Sequence, residues 1–415
     1  MRWPSPSFYD HVKHLTTGRD QPLLGAPNEG VFTGLRMQRS DGSVEFAWLR
    51  DLEVTEQRFA SDRTDTVATT YLDRSTGVVV ELHDTVDASD DVLARRHVVR
   101  VPPGSGIESL RLVAFANLQV THQKYSGAPI WDGCLDQLHD SPAHYGAACG
   151  AVVQSSQGRD PSGGRRSSAA AAIGWAGGND AHDVASDTAG SALRELLPAR
   201  TDGAYASATG RLGELAGRDS AGGQVDMAVA RDLDPGPDGT AEATFLTAFG
   251  ADADAALGVL GSARSTHDGI EARKASWFDR WLAGAELPNT DDPDVLRHAQ
   301  RALVVLRQAY DDELGGVVAS ISTQPPYNMA WVRDDLYFAE AMKAAGHPEA
   351  AESINRFHAR TLVRSDQRPP GAGDAGRELA DDALPGRHRR WADSLRDRRD
   401  GAGVGGTRHP LGGHR

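Results

Sequence analysis

Cysteine is nearly absent from this chain of 415 residues, which limits the kinds of site that it can carry. The two cysteines, Cys134 and Cys149, have neither the spacing of a metal-binding pair nor that of a redox Cys-x-x-Cys motif. Their number allows one disulfide, but no other feature of the sequence supports it. The sequence therefore indicates no cysteine-based metal or redox centre.

Lysine is also scarce, whereas arginine and aspartate are abundant. The four lysines are Lys13, Lys124, Lys274 and Lys343. Acidic residues outnumber basic ones, and the formal net charge at pH 7 is -14. This excess of negative charge argues against a nucleic-acid partner, because the phosphate backbone would repel it. The composition fits either a GC-rich genome alone or a host adapted to high salt, in which acidic proteins stay soluble.

Long apolar runs are missing as well. The N-terminal stretch MRWPSPSFYDHVKHL has no apolar segment and no twin arginine of the kind that secretion signals carry. No run elsewhere approaches the length of a transmembrane helix. On the premise that Met1 is the true start, we expect a cytoplasmic protein without a membrane partner.

Residues 25–250 have the pattern of a β-rich domain. Short alternating or apolar runs are separated by clusters of Asp, Gly, Ser and Pro, and Asp41-Gly42 is a hairpin signal. The spacing predicts an antiparallel sandwich of many strands. The expected strands cover residues 30–38, 44–48, 66–71, 78–82, 94–101, 111–120, 169–175, 224–230 and 241–249.

Residues 155–223 are less regular than the rest of this domain. They are rich in Gly, Ala, Ser and Asp, and large apolar residues are sparse. Apart from the expected strand over 169–175, we interpret them as long loops of the sandwich, with a disordered insertion as the alternative.

The pattern becomes helical over residues 252–282. Trp277, Phe278 and Trp281 recur there at helical spacing. We expect these aromatics to pack between two domains, with a sugar platform as the weaker alternative.

Three further helices are predicted downstream. The first begins at Pro293 after an acidic cap, and its apolar face includes Leu303 and Leu306. The second covers residues 334–345, and the third begins at Pro348, after Gly346 has ended the second. The third contains His358, which we interpret as a core or surface histidine rather than a catalytic group.

The stretch 315–360 carries most of the chemical information. Pro325 and Pro326 exclude a helix just before an aromatic and charged cluster. Aromatic faces pack on the C–H surfaces of sugars, and charged groups bind their hydroxyls, so the cluster suits a neutral polyhydroxylated ligand. The alternative is an Asp that caps a helix beside an Arg and core aromatics. The side chains of the cluster are Tyr327, Trp331, Arg333 and Asp334.

This stretch resembles the first substrate loop of glycoside hydrolase family 15, the glucoamylase and glucodextranase family. The order Tyr, three residues, Trp, one residue, Arg-Asp matches that family without a gap. The resemblance implies that Arg333 and Asp334 bind hydroxyls of the terminal glucose, and that Trp331 and Tyr327 shape the pocket. It also implies an N-terminal antiparallel β-sandwich (a supersandwich) followed by the first helices of an (α/α)6 barrel, here incomplete.

The composition changes sharply after Arg364. The following residues contain no Ile, Phe, Tyr, Met, Lys or Asn, and they show little apolar periodicity. A frameshift near Ser365 explains this composition, and a natural disordered tail is the alternative. We therefore expect a sandwich domain over 1–275, a linker helix over 276–289, the first part of an α/α barrel over 290–365, and a low-complexity tail over 366–415.

The resemblance implies a glucoamylase-type hydrolase that releases glucose from the non-reducing ends of α-glucans. Inversion requires two carboxyl groups roughly 6.5–9.5 Å apart. In this family both are glutamates from later barrel loops, so we assign no catalytic residue here and expect an inactive chain.

Two other functions stay open at this point: a non-catalytic carbohydrate-binding sandwich, and a disaccharide phosphorylase-like protein of related fold. We expect an α-glucan or oligosaccharide partner. No cofactor and no metal site is indicated, since no EF-hand loop is present. The sequence fixes neither linkage preference nor oligomeric state.

Overall fold

The computed structural model describes residues 30–118, 142–159, 166–186, 203–222, 225–318 and 330–361. Its N-terminal part is two antiparallel sheets, and its C-terminal part is helical. The strands are β1 (Gly30–Arg39), β2 (Val44–Trp48), β3 (Glu53–Phe59), β4 (Val67–Leu72), β5 (Val79–Val86), β6 (Val92–Arg100), β7 (Ile107–Asn117), β8 (Ala143–Gly146), β9 (Ala151–Arg159), β10 (Arg166–Trp175), β11 (Ala181–Ser186), β12 (Ser220–Ala221), β13 (Val225–Leu233) and β14 (Thr240–Gly250).

The two sheets form the predicted sandwich. One sheet has the order β11-β13-β7-β1-β2, and the other has the order β12-β8-β9-β10-β14-β6-β5-β4-β3. Apolar side chains from both sheets fill the space between them, including Leu35, Leu112, Ile173 and Phe245. The expected hairpin joins β1 and β2: Gly42 takes a positive φ of 81°, and the Asp41 carboxylate accepts the Ser43 N–H at 2.9 Å.

The helices are α1 (Ala204–Gly210), α2 (Ala253–Thr266), α3 (Ile270–Ala283), α4 (Pro293–Ala309), α5 (Val332–Ala344) and α6 (Pro348–Thr361). The expected helix over 252–282 is two helices, because a short 3-10 turn over residues 267–269 separates α2 from α3. The helix expected from residue 334 begins two residues earlier. None of the helices among these described residues is long and apolar enough to cross a membrane.

The interpretation of residues 155–223 as mainly loops was wrong for much of that range. The additional elements there are the end of β9, then β11, α1 and β12. The strand around Ala170 and Ala172 lies against α2, in a cluster that also contains Ala256 and Leu260. Small side chains suit a place where a helix packs closely on a sheet, which accounts for the alanines of this predicted strand.

A buried ion pair connects the sandwich to the helices. The Asp65 carboxylate, on the segment between β3 and β4, lies 3.2 Å from the Lys274 ammonium of α3. The same carboxylate accepts the Gln308 amide of α4 at 2.9 Å. Lys274 is fully buried, and burial lowers its pKa while the Asp65 charge opposes that change. Helix α3 continues through residue 275, where one boundary was expected. The domain boundaries expected around 275 and 290 remain predictions.

We expect Asp65→Ala to lower the free energy of unfolding by about 3–5 kcal/mol, because it leaves a buried ammonium unpaired. The matched control is Asp279→Ala, which removes an exposed pair with Arg63 at 2.8 Å across the same boundary. That change should cost under about 1 kcal/mol. Urea unfolding of both variants measures the difference, and equal losses would contradict the role given to Asp65.

A second buried group makes the stability of the sandwich depend on pH. The His97 ring is fully buried, and its Nε2 lies 3.0 Å from the Thr33 hydroxyl. It also packs against Trp175, with the two ring planes inclined at 57°. Burial and then the Arg95 charge lower the pKa of His97 from 6.5 to about 3. Below about pH 6.5, His97 is protonated in the unfolded chain but stays neutral in the folded chain. The free energy of unfolding therefore falls as the pH decreases from 6.5 toward 3.

The chain takes up protons when it unfolds at acidic pH, and replacing His97 with Gln should reduce that uptake by up to one proton. We expect the pH dependence of the unfolding free energy between pH 6 and 4 to flatten by about 1.4 kcal/mol per pH unit. Thr33→Val is the control, since it removes the partner hydroxyl but keeps the titrating ring. It should lower stability and retain the slope; an unchanged slope in His97→Gln would refute the assignment.

Candidate functional site

The segment that carries the predicted sugar-binding motif packs on a helical hairpin. Helix α5 ends at Ala344, Gly346 then takes a positive φ of 83° that allows the chain to reverse, and α6 begins at Pro348. Residues from both helices share one core with Val317 and Val318. The helix residues of this core are Ala339, Met342, Ala350, Ala351 and Ile354.

A tight turn after α4 leads into the motif. The Asp311 carboxylate accepts the N–H groups of Glu313 and Leu314 at 2.8 and 2.9 Å. Gly315 then takes a positive φ of 74° and lies directly against Ser353 of α6. The turn closes with a bridge between Tyr310 and Val317. This packing fixes the direction in which the chain leaves α4.

Both ends of the predicted substrate loop are anchored in the helical core. Val318, before the loop, is buried, and Ala330, after it, is buried against Phe357 of α6. Residues 319–329 lie outside the described residues, and so does the candidate Tyr327. The structure therefore shows where this loop begins and where it ends.

The remaining three candidates lie together at the start of α5. Trp331 is half-buried and takes the N-cap position without a capping side chain, so the alternative of an Asp that caps this helix is wrong. Arg333 and Asp334 are in the first turn, and the Arg333 Nη2 lies 3.4 Å from the Asp334 Oδ2. Their side chains are 81% and 34% exposed. A guanidinium and a carboxylate thus face solvent side by side.

The adjacent Asp335 has the opposite environment. Its side chain is fully buried, and its Oδ2 accepts a hydrogen bond from the His358 Nε2 of α6 at 2.8 Å. Burial raises the pKa of the Asp335 carboxyl, although His358 and the Val317 N–H partly offset this. Sequence reasoning missed this pair. The available signal was that Asp335 falls in register with Ala339 and Met342 on the apolar stripe, where a carboxylate needs a partner.

The aromatics of α3 are packing groups, as expected. Phe278 is fully buried, while the Trp277 ring carries the Arg307 guanidinium 3.9 Å from its centroid. Trp281 stacks on His347 with ring centroids 3.5 Å apart. Each of these three rings thus packs inside the protein or against a neighbouring side chain, which leaves the sugar-platform alternative unsupported.

The site provides charged hydrogen-bonding groups at an exposed helix start. Arg333 supplies several donors, and Asp334 supplies carboxylate acceptors, which together match the hydroxyl groups of a sugar. Within the part of the chain that the structure describes, no group of three or more His, Cys, Asp or Glu side chains is arranged to hold a metal ion.

Comparison with known proteins gives one family and a shared fold. Residues 296–368 match the model of glycosyl hydrolases family 15. A bacterial glucoamylase complexed with acarbose aligns over 80% of this chain and 44% of its own, at 11% identity and a TM-score of 0.57. A protein assigned as a kojibiose phosphorylase, from the human microbiome, aligns over 79% and 38% of the two chains, at 12% identity and a TM-score of 0.51.

At these identities the two structures share a fold with this chain and nothing finer. The chain spans less than half the length of either one. No curated protein sequence matches it. The resemblance inferred from the motif is confirmed, and so is the order of an antiparallel sandwich followed by α/α-barrel-like helices.

Gly315→Ala tests whether the turn after α4 needs its close contact with α6. A methyl group there would meet the Ser353 side chain and lie 2.8 Å from its carbonyl oxygen, in a backbone conformation that disfavours Ala. We expect a loss of about 2 kcal/mol or more in unfolding free energy. The control is Gly258→Ala in α2, where a methyl group meets nothing within 4 Å.

The control should be neutral or stabilising by up to about 1 kcal/mol, because Ala favours a helix more than Gly does. Thermal unfolding of the two variants gives the comparison. A Gly315→Ala protein as stable as the control would show that the turn does not need its close contact with α6.

Proposed function

From the match of residues 296–368 to glycosyl hydrolases family 15, we propose that this chain binds the terminal glucose of an α-glucan or oligosaccharide. The site is the start of α5. Arg333 and Asp334 bind hydroxyl groups of that sugar, and Trp331 together with Tyr327 shapes the pocket around it.

One observation supports this proposal most directly. The two charged residues of the motif, Arg333 and Asp334, are the ones whose side chains reach solvent, while the next residue, Asp335, is fully buried. A carboxylate that served only to cap the helix would accept backbone N–H groups, but Trp331 holds the cap position. The motif charges therefore remain available for a ligand.

The finer activity that we propose is that of a glucoamylase-type hydrolase, which releases glucose from the non-reducing end with inversion. Such a reaction requires a general acid and a general base that flank the glycosidic bond. We assign neither role to a residue of this chain. The testable content for this chain is accordingly the binding of the sugar and not its turnover.

A disaccharide phosphorylase is the second candidate, because one protein assigned to that class shares the fold at a TM-score of 0.51. Phosphorolysis needs an anion site in addition to a sugar site. Sugar binding that strengthens when inorganic phosphate is added would favour this candidate, whereas binding that ignores phosphate favours the hydrolase type.

Asp334→Asn is the direct test of the proposed site. Losing a charge-assisted hydrogen bond to a sugar hydroxyl costs about 1.5–3 kcal/mol, so maltotriose affinity should fall about tenfold or more. The full chain is titrated with maltotriose and followed by NMR. Glu340→Gln is the matched control, since it neutralises an exposed carboxylate farther along the same helix and should leave affinity unchanged.

Equal affinities for the wild type, Asp334→Asn and Glu340→Gln would place the sugar elsewhere. Binding that also survives Arg333→Gln would indicate that the sandwich carries it, which is the function of a non-catalytic binding module. Absence of binding in the wild type would refute the proposal altogether.

A further inference from the structure

The buried Asp335 carboxylate joins the two helices that support the site. It belongs to the first turn of α5 and accepts the His358 Nε2 hydrogen bond from the last turn of α6. Val317, just before the predicted substrate loop, lies in the core that these two helices share.

We propose that Asp335 and His358 are positioning residues of the sugar site; this inference rests on the proposed function. Successive residues of a helix are rotated by about 100° around its axis. Fixing Asp335 toward His358 therefore fixes the directions in which Asp334 and Arg333 leave the same turn. The pair acts on the ligand through these two neighbours and does not touch it.

A contribution to stability alone does not explain the choice of residues. The next positions of the buried stripe of α5, Ala339 and Met342, are apolar, and Asp335 occupies the end of that stripe nearest the motif, where it pairs with His358 of α6. Replacing a buried polar pair by apolar residues of similar volume is often neutral or stabilising. Apolar residues at these two positions would make no directional hydrogen bond. In the native pair, this hydrogen bond sets the rotation of the first turn of α5 about the helix axis.

The test separates folding from ligand geometry by comparing four variants of the full chain. Asp335→Asn keeps an acceptor for the His358 Nε2. Asp335→Leu removes it, and Asp335→Leu with His358→Leu replaces both partners by apolar groups. Met342→Ala is the control, because it opens a cavity in the same helix away from the first turn. For each variant, the unfolding midpoint and the maltotriose affinity are measured at a temperature at which it is folded.

We expect Asp335→Asn to bind maltotriose within about twofold of the wild type and Asp335→Leu to bind about tenfold more weakly or worse. The double variant should recover the unfolding midpoint of the wild type but not its affinity. Met342→Ala should lose stability and keep its affinity. This pattern separates positioning from support of the fold.

Two results would overturn the inference. If the double variant recovers affinity together with stability, the pair only supports the fold. If Asp335→Leu binds as the wild type does, the pair has no effect on the site. Failure of the wild type to bind maltotriose would refute the proposed function itself, and the inference with it, whereas the first two results leave the proposed function intact.

Discussion

The placement of the helices depends on one buried carboxylate of the sandwich. Asp65 pairs with Lys274 of α3 and accepts the Gln308 amide of α4, so a single side chain holds two helices. One turn before Lys274, Glu271 lies between His83 and Arg96 of the sheet. Burial raises the pKa of Glu271, but the hydrogen bonds and charges of these two partners outweigh burial and lower the pKa to about 2. Because α3 is attached at both positions, α4 and the turn that follows it start from a fixed point on the sandwich.

The sandwich was largely predictable because its strands follow simple rules. Asp41-Gly42 fixes a hairpin, and alternating apolar residues define the buried face of each neighbouring strand. The strand over 169–175 was predicted, whereas β11, α1 and β12 were wrongly interpreted as loops. Ala170 and Ala172 carry little apolar surface of their own, and α2, which covers them, comes some eighty residues later in the chain, so only the folded structure shows why a strand of small residues is stable there.

The site residues stay a prediction, and the sequence did not show the geometry around them. The sequence predicted a helix start within two residues of the observed one, but it did not show which of two adjacent aspartates faces solvent. That choice is made by a partner on another helix, since His358 is more than twenty residues away from Asp335 and reaches it only after α5 and α6 have packed. Periodicity places Asp335 on the buried stripe but does not identify that partner.

The central claim is that the sandwich serves as a base and that the sugar binds at the start of α5. Hydrogen–deuterium exchange of the full chain, with and without saturating maltotriose, tests this claim most directly. The account predicts slower exchange in peptides that cover residues 314–318 and 330–335, with the strands of the sandwich unchanged. Protection confined to the sandwich, or no protection at all, would contradict it.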